Sequence, residues 1–549
     1  MKEGLSKRGW WLLILVAALI WFSNLEYRLL AKPDEGRYAE IPREMVASGD
    51  WVTPRLNDLK YFEKPPLQYW ATAVAYEVFG EHQWTSRLWA ALTGFLGLWL
   101  TWFTGARLFG RTAASYATVL LGSSLLYVGM AHINTLDMGV TFFVTLGLFA
   151  MMLAQRDPFN VPHRRGWMLL AWAAMALAVL SKGLMGIILP GTALLIYIGI
   201  QREWVLFKRL HLVSGVLLFF AICAPWFYLV MKANPEFFQR FFIYEHYTRF
   251  TTKDLGRYQP WYYFVPILLL GLMPWTLLMF DTLLRVWRNG ARAVREFSPE
   301  RFLLVWIVFV YVFFSVSGSK LPSYLLPMFP PLALLMGQRL ALIEPQRLFR
   351  LLLPMLALAG LAVSFAPMMP KLADYPEQVV LYAAYARWLE GAALIWLATL
   401  LLGSLWLRGG RKFGAVLAIA LGSLLAYQVA LSGYNAAASE RNARHIAQAI
   451  QSLVKPDMPL YQVWNYEQTI DFYLKRTFTL VQFRDELAFG IDQEPERWIA
   501  DLDQFAPIWN AHAEALALMP VYAYPELQKR GFPMRVVYQD YQFVVVSRK

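Results

Sequence analysis

Thirteen stretches of this chain are apolar and close to the roughly 20 residues that a bilayer-crossing helix needs. They lie near residues 10–29, 87–106, 112–131, 138–155, 166–182, 184–201, 210–231, 261–281, 302–318, 321–338, 348–366, 388–407 and 413–431. The pair 166–201 is almost continuous, broken only by Ser181, Lys182 and Gly183. The pattern predicts a mostly α-helical, polytopic transmembrane bundle of about 13 spans.

The polar segments between these stretches alternate in character. One set is short and basic, with Lys7 and Arg8, Arg107 and Arg111, Arg164 and Arg165, Lys208 and Arg209, Arg339 and Arg347, and Arg408 and Arg411. Such an excess of cations marks cytoplasmic loops. The other set is expected on the outer side and carries the unusual residues: 30–86, 132–137, 181–183, 232–260, 317–324 and 367–387. A cytoplasmic N-terminus and an odd number of spans put the C-terminus outside too. The basic start and first apolar run, with no small-x-small site before Asp34, read as an uncleaved anchor.

Two amphipathic helices are expected in the first outward segment. Glu35 to Ser48 sets Tyr38, Ile41, Met45 and Val46 against Arg37, Glu40, Arg43 and Glu44, and Gly49 ends it. Pro65 to Phe79 opens on prolines, which a first helical turn tolerates. Helices of this kind lie along a membrane surface. After about Ser432 the apolar periodicity stops. Residues 433–549 mix β-prone runs (Leu460–Trp464, Phe472–Leu474, Val536–Val546) with helical patterns (Glu440–Leu453, Gln493–Phe505). The chain thus divides into a membrane domain, 1–432, and a small soluble α/β domain, 433–549.

Composition agrees with a membrane protein: 58% hydrophobic and 16% charged residues, with mean hydropathy +0.39. The 23 tryptophans suit many membrane–water boundaries. A single cysteine, Cys223, excludes an intrachain disulfide framework and a thiolate zinc cluster. The net charge of +13 could point to nucleic acid. Its placement in the cytoplasmic loops makes most of it a topology signal, so no nucleic-acid partner is expected.

The outward segments carry the candidate chemistry. Asp34 and Glu35 form a carboxylate pair at the lip of the bundle, where an ionised group is costly and suggests function. Arg37 follows them. Tyr61, Glu63 and Lys64 join the two amphipathic helices, and Lys64 is a compact cation suited to a phosphate, though a solvated Glu–Lys pair fits as well. Asp137 heads a span, where an N-cap is the simpler reading. Lys182 sits at a span end, where snorkelling is the simpler one. Lys320 and Tyr324 fall in a small-residue turn whose amides could hold an anion. His246, with Glu63 or Glu245, offers oxygen and nitrogen ligands to a divalent metal ion, without a specific spacing signature. Arg249 lies in the same loop. A cavity with carboxylates inside and cations around them suits a lipid phosphate undergoing group transfer.

Three runs carry a resemblance: Pro33–Asp34–Glu35–Gly36–Arg37–Tyr38–Ala39–Glu40–Ile41, Ser48–Gly49–Asp50–Trp51, and Tyr61–Phe62–Glu63–Lys64–Pro65. With Ser181–Lys182–Gly183, Phe237 to Phe250 and Lys320 to Tyr324, the chain resembles the bacterial lipid A aminoarabinose transferases. Those enzymes are GT-C glycosyltransferases that use polyprenyl phosphate donors. The resemblance implies transfer of 4-amino-4-deoxy-L-arabinose from undecaprenyl phosphate to a lipid A phosphate. It also implies the periplasmic side of a Gram-negative inner membrane, and resistance to polymyxin and other cationic peptides. The same class includes enzymes that glycosylate a protein hydroxyl or another glycolipid, which is the nearest alternative. A lipid flippase would place its charges at mid-span instead.

In such a transfer, positive charge grows on the sugar and negative charge on the departing phosphate. A carboxylate belongs near the first and cations near the second. Asp34 is the expected carboxylate, with Glu35 or Asp137 assisting. Lys64, Arg37 and Tyr61 are expected at the phosphate, helped by Lys182, Arg249, Lys320 and Tyr324.

Overall fold

The computed structural model describes residues 7–156, 161–248, 259–289 and 297–548, without the side chains of residues 7, 246–248 and 289. All thirteen apolar stretches fall on helical chain: α1 (Lys7–Phe22), α4 (Gln83–Leu108), α5 (Arg111–Leu121), α6 (Leu125–Ala131), α7 (Asp137–Arg156), α8 (Val161–Lys182), α9 (Met185–Gln201) and the helices beyond. The span count comes out lower than the expected thirteen. Eight helices among the described residues are long and apolar enough to cross a membrane. Two bent pairs raise the number to ten: α5 with α6, at 67°, and Phe264–Gly271 with Thr276–Arg288, at 107°. The other three candidates fall short. Helices α1 and α9 have 16 and 17 residues, and α8 carries His163, Arg164 and Arg165 in its first turns.

Small residues let the helices approach. A Cβ on Gly337 would stand 2.5 Å from the Ala113 carbonyl of α5, so any side chain there would push two helices apart. Outward faces carry unpartnered apolar stripes at helical spacing. Val213, Leu217 and Phe220 are exposed on Leu212–Ala233, and Val308, Val312 and Val316 on Pro299–Val316. These are faces for lipid.

Above the bundle sits a second layer: α2 (Asp34–Ser48), the short hairpin β1 (Arg55–Leu56) with β2 (Leu59–Lys60), and α3 (Leu67–Phe79). Sequence pattern predicts α2 as a surface helix with one polar face in water. Every α2 residue from Glu35 to Met45 is buried instead. On the polar face Arg37 contacts Glu486 of the C-terminal domain, and that domain's Asp471 is buried beside Glu40, Arg43 and Glu44. The Tyr38, Ile41 and Met45 side pools with Tyr466, Leu480 and Leu487 from that domain in one apolar cluster.

The C-terminal domain is built on six strands in the order β5-β4-β3-β6-β8-β7. They are β3 (Leu460–Val463), β4 (Thr479–Val481), β5 (Trp498–Ile499), β6 (Leu516–Pro520), β7 (Arg535–Gln539) and β8 (Phe543–Ser547). Strand β3 runs parallel to β4 and β6, β4 runs parallel to β5, and β8 runs antiparallel to β6 and β7. Three expectations change here. The helical pattern Gln493–Phe505 is interrupted by β5, and its helix begins only at Leu502. Phe472–Leu474 lies in a helix, Ile470–Leu474, and Val536–Val546 folds back as the hairpin β7–β8. Strand β6 escapes a period-two reading because all five of its residues are buried, as expected for a strand covered on both faces.

The two domains are bolted together. Arg55 makes a bidentate pair with Glu494 at 3.0 and 3.1 Å. The Asn57 amide donates to the Phe478 carbonyl at 2.8 Å and its oxygen accepts from the Phe478 N–H at 2.7 Å. Gly490 packs so close to β2 that a Cβ would stand 2.8 Å from the Lys60 carbonyl.

Candidate active site

A cavity of about 290 Å³ opens where the start of α2, the start of α7, the end of α8, the start of α9 and the segment 314–327 meet. Its charged lining is mixed. Asp34, Glu63, Asp137 and Glu245 contribute carboxylates, while Arg37, Lys64 and Lys182 contribute cations. Val140, Leu189, Phe314 and Pro327 form an apolar part of the wall. Tyr324 lines it as well.

Asp34 stands in the first turn of α2, next to the positive end of that helix. Its side chain keeps 49% of its exposure, and its carboxylate is 3.4 Å from Arg37. Lys64 lies on the rim, donating to the Glu63 carbonyl at 2.9 Å, with its ammonium 3.9 Å from Glu245. Arg240 holds the other Glu245 oxygen at 3.0 Å. Across the cavity Lys182 is salt-bridged to Asp137, the first residue of α7, and sits 5.0 Å from the centre of the Tyr324 ring. The pair departs from the simpler reading of Lys182. Lys182 turns inward to a carboxylate instead of snorkelling, and Asp137 receives an ammonium.

Glu35 goes elsewhere. It is 1% exposed, behind the cavity wall, and both oxygens are committed. Arg87 donates to them at 2.7 and 2.9 Å, Arg28 at 3.3 Å, and the N–H groups of Ala31 and Asn134 at 3.0 Å each. Burial alone would raise this carboxyl. Arg28, Arg87 and the Asn134 N–H overcome it and bring the pKa down to about 2. Glu35 is therefore a fixed counter-ion that ties α2 to the end of α1, the start of α4 and the approach to α7.

Tyr61 is buried against Arg37, its ring 5.9 Å from the guanidinium, and it does not line the cavity. Lys320 is flanked by two lining residues, Ser319 and Leu321, yet its ammonium donates to the carbonyls of Ser317 at 2.5 Å and Gln259 at 2.8 Å. Burial lowers its pKa. Arg249 and the His246 side chain lie outside the described residues. No group of three or more His, Cys, Asp or Glu side chains among the described residues is arranged to hold a metal ion.

Four side chains that contact the candidate site residues escape sequence reasoning: Arg28, Arg87, Arg240 and Glu486. The first two sit inside the ends of the apolar stretches 10–29 and 87–106, where nothing in the sequence marks the partner each meets. Glu486 lies in the soluble domain, far along the chain from the residue it touches. Its carboxylate is in contact with the Arg37 guanidinium.

The chain matches two family models. Residues 446–548 match "Aminoarabinose transferase C-terminal domain" and residues 63–229 match "Dolichyl-phosphate-mannose-protein mannosyltransferase". An undecaprenyl phosphate-alpha-4-amino-4-deoxy-L-arabinose arabinosyl transferase of Pectobacterium carotovorum is 34% identical over 419 residues, 72% of this chain and 72% of that one. The chain belongs to the aminoarabinose transferase family. The relative of that name from Erwinia tasmaniensis is 35% identical over 327 residues, 59% of this chain, and the match spans 58% of the relative's length. The crystal structure of the Cupriavidus metallidurans member, bound to undecaprenyl phosphate, superposes with a TM-score of 0.93 at 39% identity. It covers 99% of this chain and 98% of that one. The family's polytopic helical membrane domain and small C-terminal α/β domain are thus both present here. Its C-terminal model falls on the sheet whose loops cover α2.

Proposed function

We propose that this chain transfers 4-amino-4-deoxy-L-arabinose from undecaprenyl phosphate to a phosphate of lipid A. The reaction would take place on the periplasmic face of a Gram-negative inner membrane, with the C-terminal domain on that side. Neutralising a lipid A phosphate lowers its attraction for cationic peptides, so polymyxin resistance is the physiological consequence.

The observation that carries this reading is the mixed charge of the cavity. A glycosyl phosphodiester donor brings an anion, and aminoarabinose brings an ammonium on its ring. A cavity for it needs cations and surplus carboxylates side by side, as the wall offers. Arg37, Lys64 and Lys182 are assigned to the donor phosphate. Asp34 faces the anomeric carbon, and Asp137 or Glu63 receives the sugar amine.

The acceptor phosphate oxygen attacks the anomeric carbon as the bond from that carbon to the donor phosphate oxygen breaks. Undecaprenyl phosphate departs with the electron pair. A phosphomonoester has its second pKa near ~6, so the acceptor is already an anion at neutral pH and no proton has to move. Asp34 then acts by charge and orientation, not as an obligatory base.

Mass spectrometry of lipid A tests the whole reading. A deletion strain carrying this chain is expected to gain the aminoarabinose mass increment, and the strain without it to lack the increment. Unmodified lipid A in both would overturn the assignment.

A further inference from the structure

Two loops of the C-terminal domain touch two consecutive residues of the turn that carries Asp34. A Cβ on Gly36 would stand 2.7 Å from the Gln468 carbonyl, so the domain presses on the α2 backbone itself. The next residue, Arg37, places one guanidinium nitrogen on Glu486 and the other 3.4 Å from Asp34. Glu486 is in turn held by the Gln468 side-chain amide at 2.7 Å. The tyrosine rings of Tyr38 and Tyr61 flank the guanidinium at 5.8 and 5.9 Å.

This arrangement has a consequence for the charge on Asp34. Arg37 and Asp34 are three residues apart on one helix, a spacing at which an arginine and a carboxylate readily pair. A guanidinium fork free to turn would close on Asp34 with two hydrogen bonds, the strongest arrangement available to it. The carboxylate expected to face the sugar would then be neutralised. With one arm held by Glu486, the fork cannot make that bidentate pair.

Resting on the reading of Asp34 and Arg37 above, we propose that Glu486 is a positioning residue for transfer: a carboxylate of the C-terminal domain that fixes Arg37 in the cavity wall and keeps Asp34 available. The small domain then completes the active site of the membrane domain.

The test uses the purified full-length protein with undecaprenyl phosphate-aminoarabinose and lipid A. Glu486→Gln keeps the shape and removes the charge. Turnover is expected to fall about ten- to fiftyfold, well beyond the loss of affinity for undecaprenyl phosphate, whose phosphate Lys64 and Lys182 still hold. The unfolding temperature is expected to hold, and Glu486→Asp to recover at least about threefold over the Gln form. Turnover within about twofold of the unsubstituted chain overturns the proposal. So does a loss that tracks a fall in affinity or unfolding temperature, or one that Asp does not relieve. Should Glu486→Gln fail to fold, Gln468→Ala decides the matter by unpinning Glu486 alone. An activity loss of about three- to tenfold that exceeds any loss of affinity supports the proposal, and full activity overturns it. A failed functional reading looks different: the unsubstituted chain itself would make no product from this donor.

Discussion

The cavity wall and the ion-pair knot behind it meet at two neighbouring residues, and they treat the same chemical group in opposite ways. Asp34 is half exposed beside one arginine, while Glu35 is sealed between two arginines and two backbone N–H groups. A carboxylate with every lone pair engaged stabilises the fold and has nothing left for a substrate. One with open coordination can respond to charge that develops in the cavity. The helix thus carries a reactive group on a turn anchored by its immediate neighbour, a direct way to hold a site to sub-ångström tolerance.

The largest expected effect separates the two directly. Asp34→Asn should lower turnover by about a thousandfold, since aligned charge at a transition state is worth that much, and leave the unfolding temperature unchanged. Glu35→Gln should do the reverse, leaving Arg28 and Arg87 buried against a neutral amide. Breaking a buried pair in this way costs about 3–5 kcal/mol, read as a lower unfolding temperature and a smaller folded yield. A Glu35→Gln protein of normal stability but no activity would erase the distinction.

A second comparison sets one lysine against another. Lys64 lines the cavity with its ammonium 3.9 Å from the Glu245 carboxylate, whereas Lys320 is not among the lining residues and donates to the carbonyls of Ser317 and Gln259. Lys64→Ala should weaken undecaprenyl phosphate binding about tenfold, the value of one charge-assisted hydrogen bond. Lys320→Ala should change that affinity by less than about twofold. Equal losses in a binding titration would show that Lys320 turns inward when donor arrives.

Hydropathy makes the helical bundle legible, because a bilayer-facing helix must be apolar over its whole length. The count suffers where helices are short, as at α1 and α9, or carry charge in their first turns, as at α8. The candidate site is legible in part for a related reason. Charged residues are rare beside apolar spans, so Asp34, Lys64 and Asp137 stand out. Sequence cannot tell which charge is open and which is locked, because that depends on partners distant along the chain. Glu35 meets Arg87 across 52 positions. The α2 polar face reads as solvent-facing because nothing local records that a domain starting four hundred residues later will cover it. Strand β6 is hidden by the same effect: burial on both faces removes the alternation that marks a strand.

That covered face supplies the smallest and most diagnostic effect. Arg43 pairs with Glu40 at 2.7 and 2.5 Å, and Glu44 and the C-terminal Asp471 are buried beside them. Burial, then the Glu40 charge, push the Glu44 and Asp471 carboxyls well above their ordinary range. The folded protein therefore keeps protons that the unfolded chain releases above about pH 4. The unfolded state binds fewer protons there, so stability is greatest at the acid end and falls as pH rises toward the raised values. Glu35, held at about 2, has the opposite sign and loses its contribution only below the ordinary carboxylate range. Above the ordinary carboxylate range the Glu35 contribution is constant, while the contribution of Glu44 and Asp471 falls with rising pH beside that of Glu486, which burial also raises, and His132, held at about 4, works in the opposite direction. Glu44→Gln removes one of these raised carboxyls, so the fall in unfolding temperature with rising pH should become shallower than in the unsubstituted chain. An unchanged slope in the Gln variant would mean that the interface carboxyls are ionised and the polar face of α2 is wet.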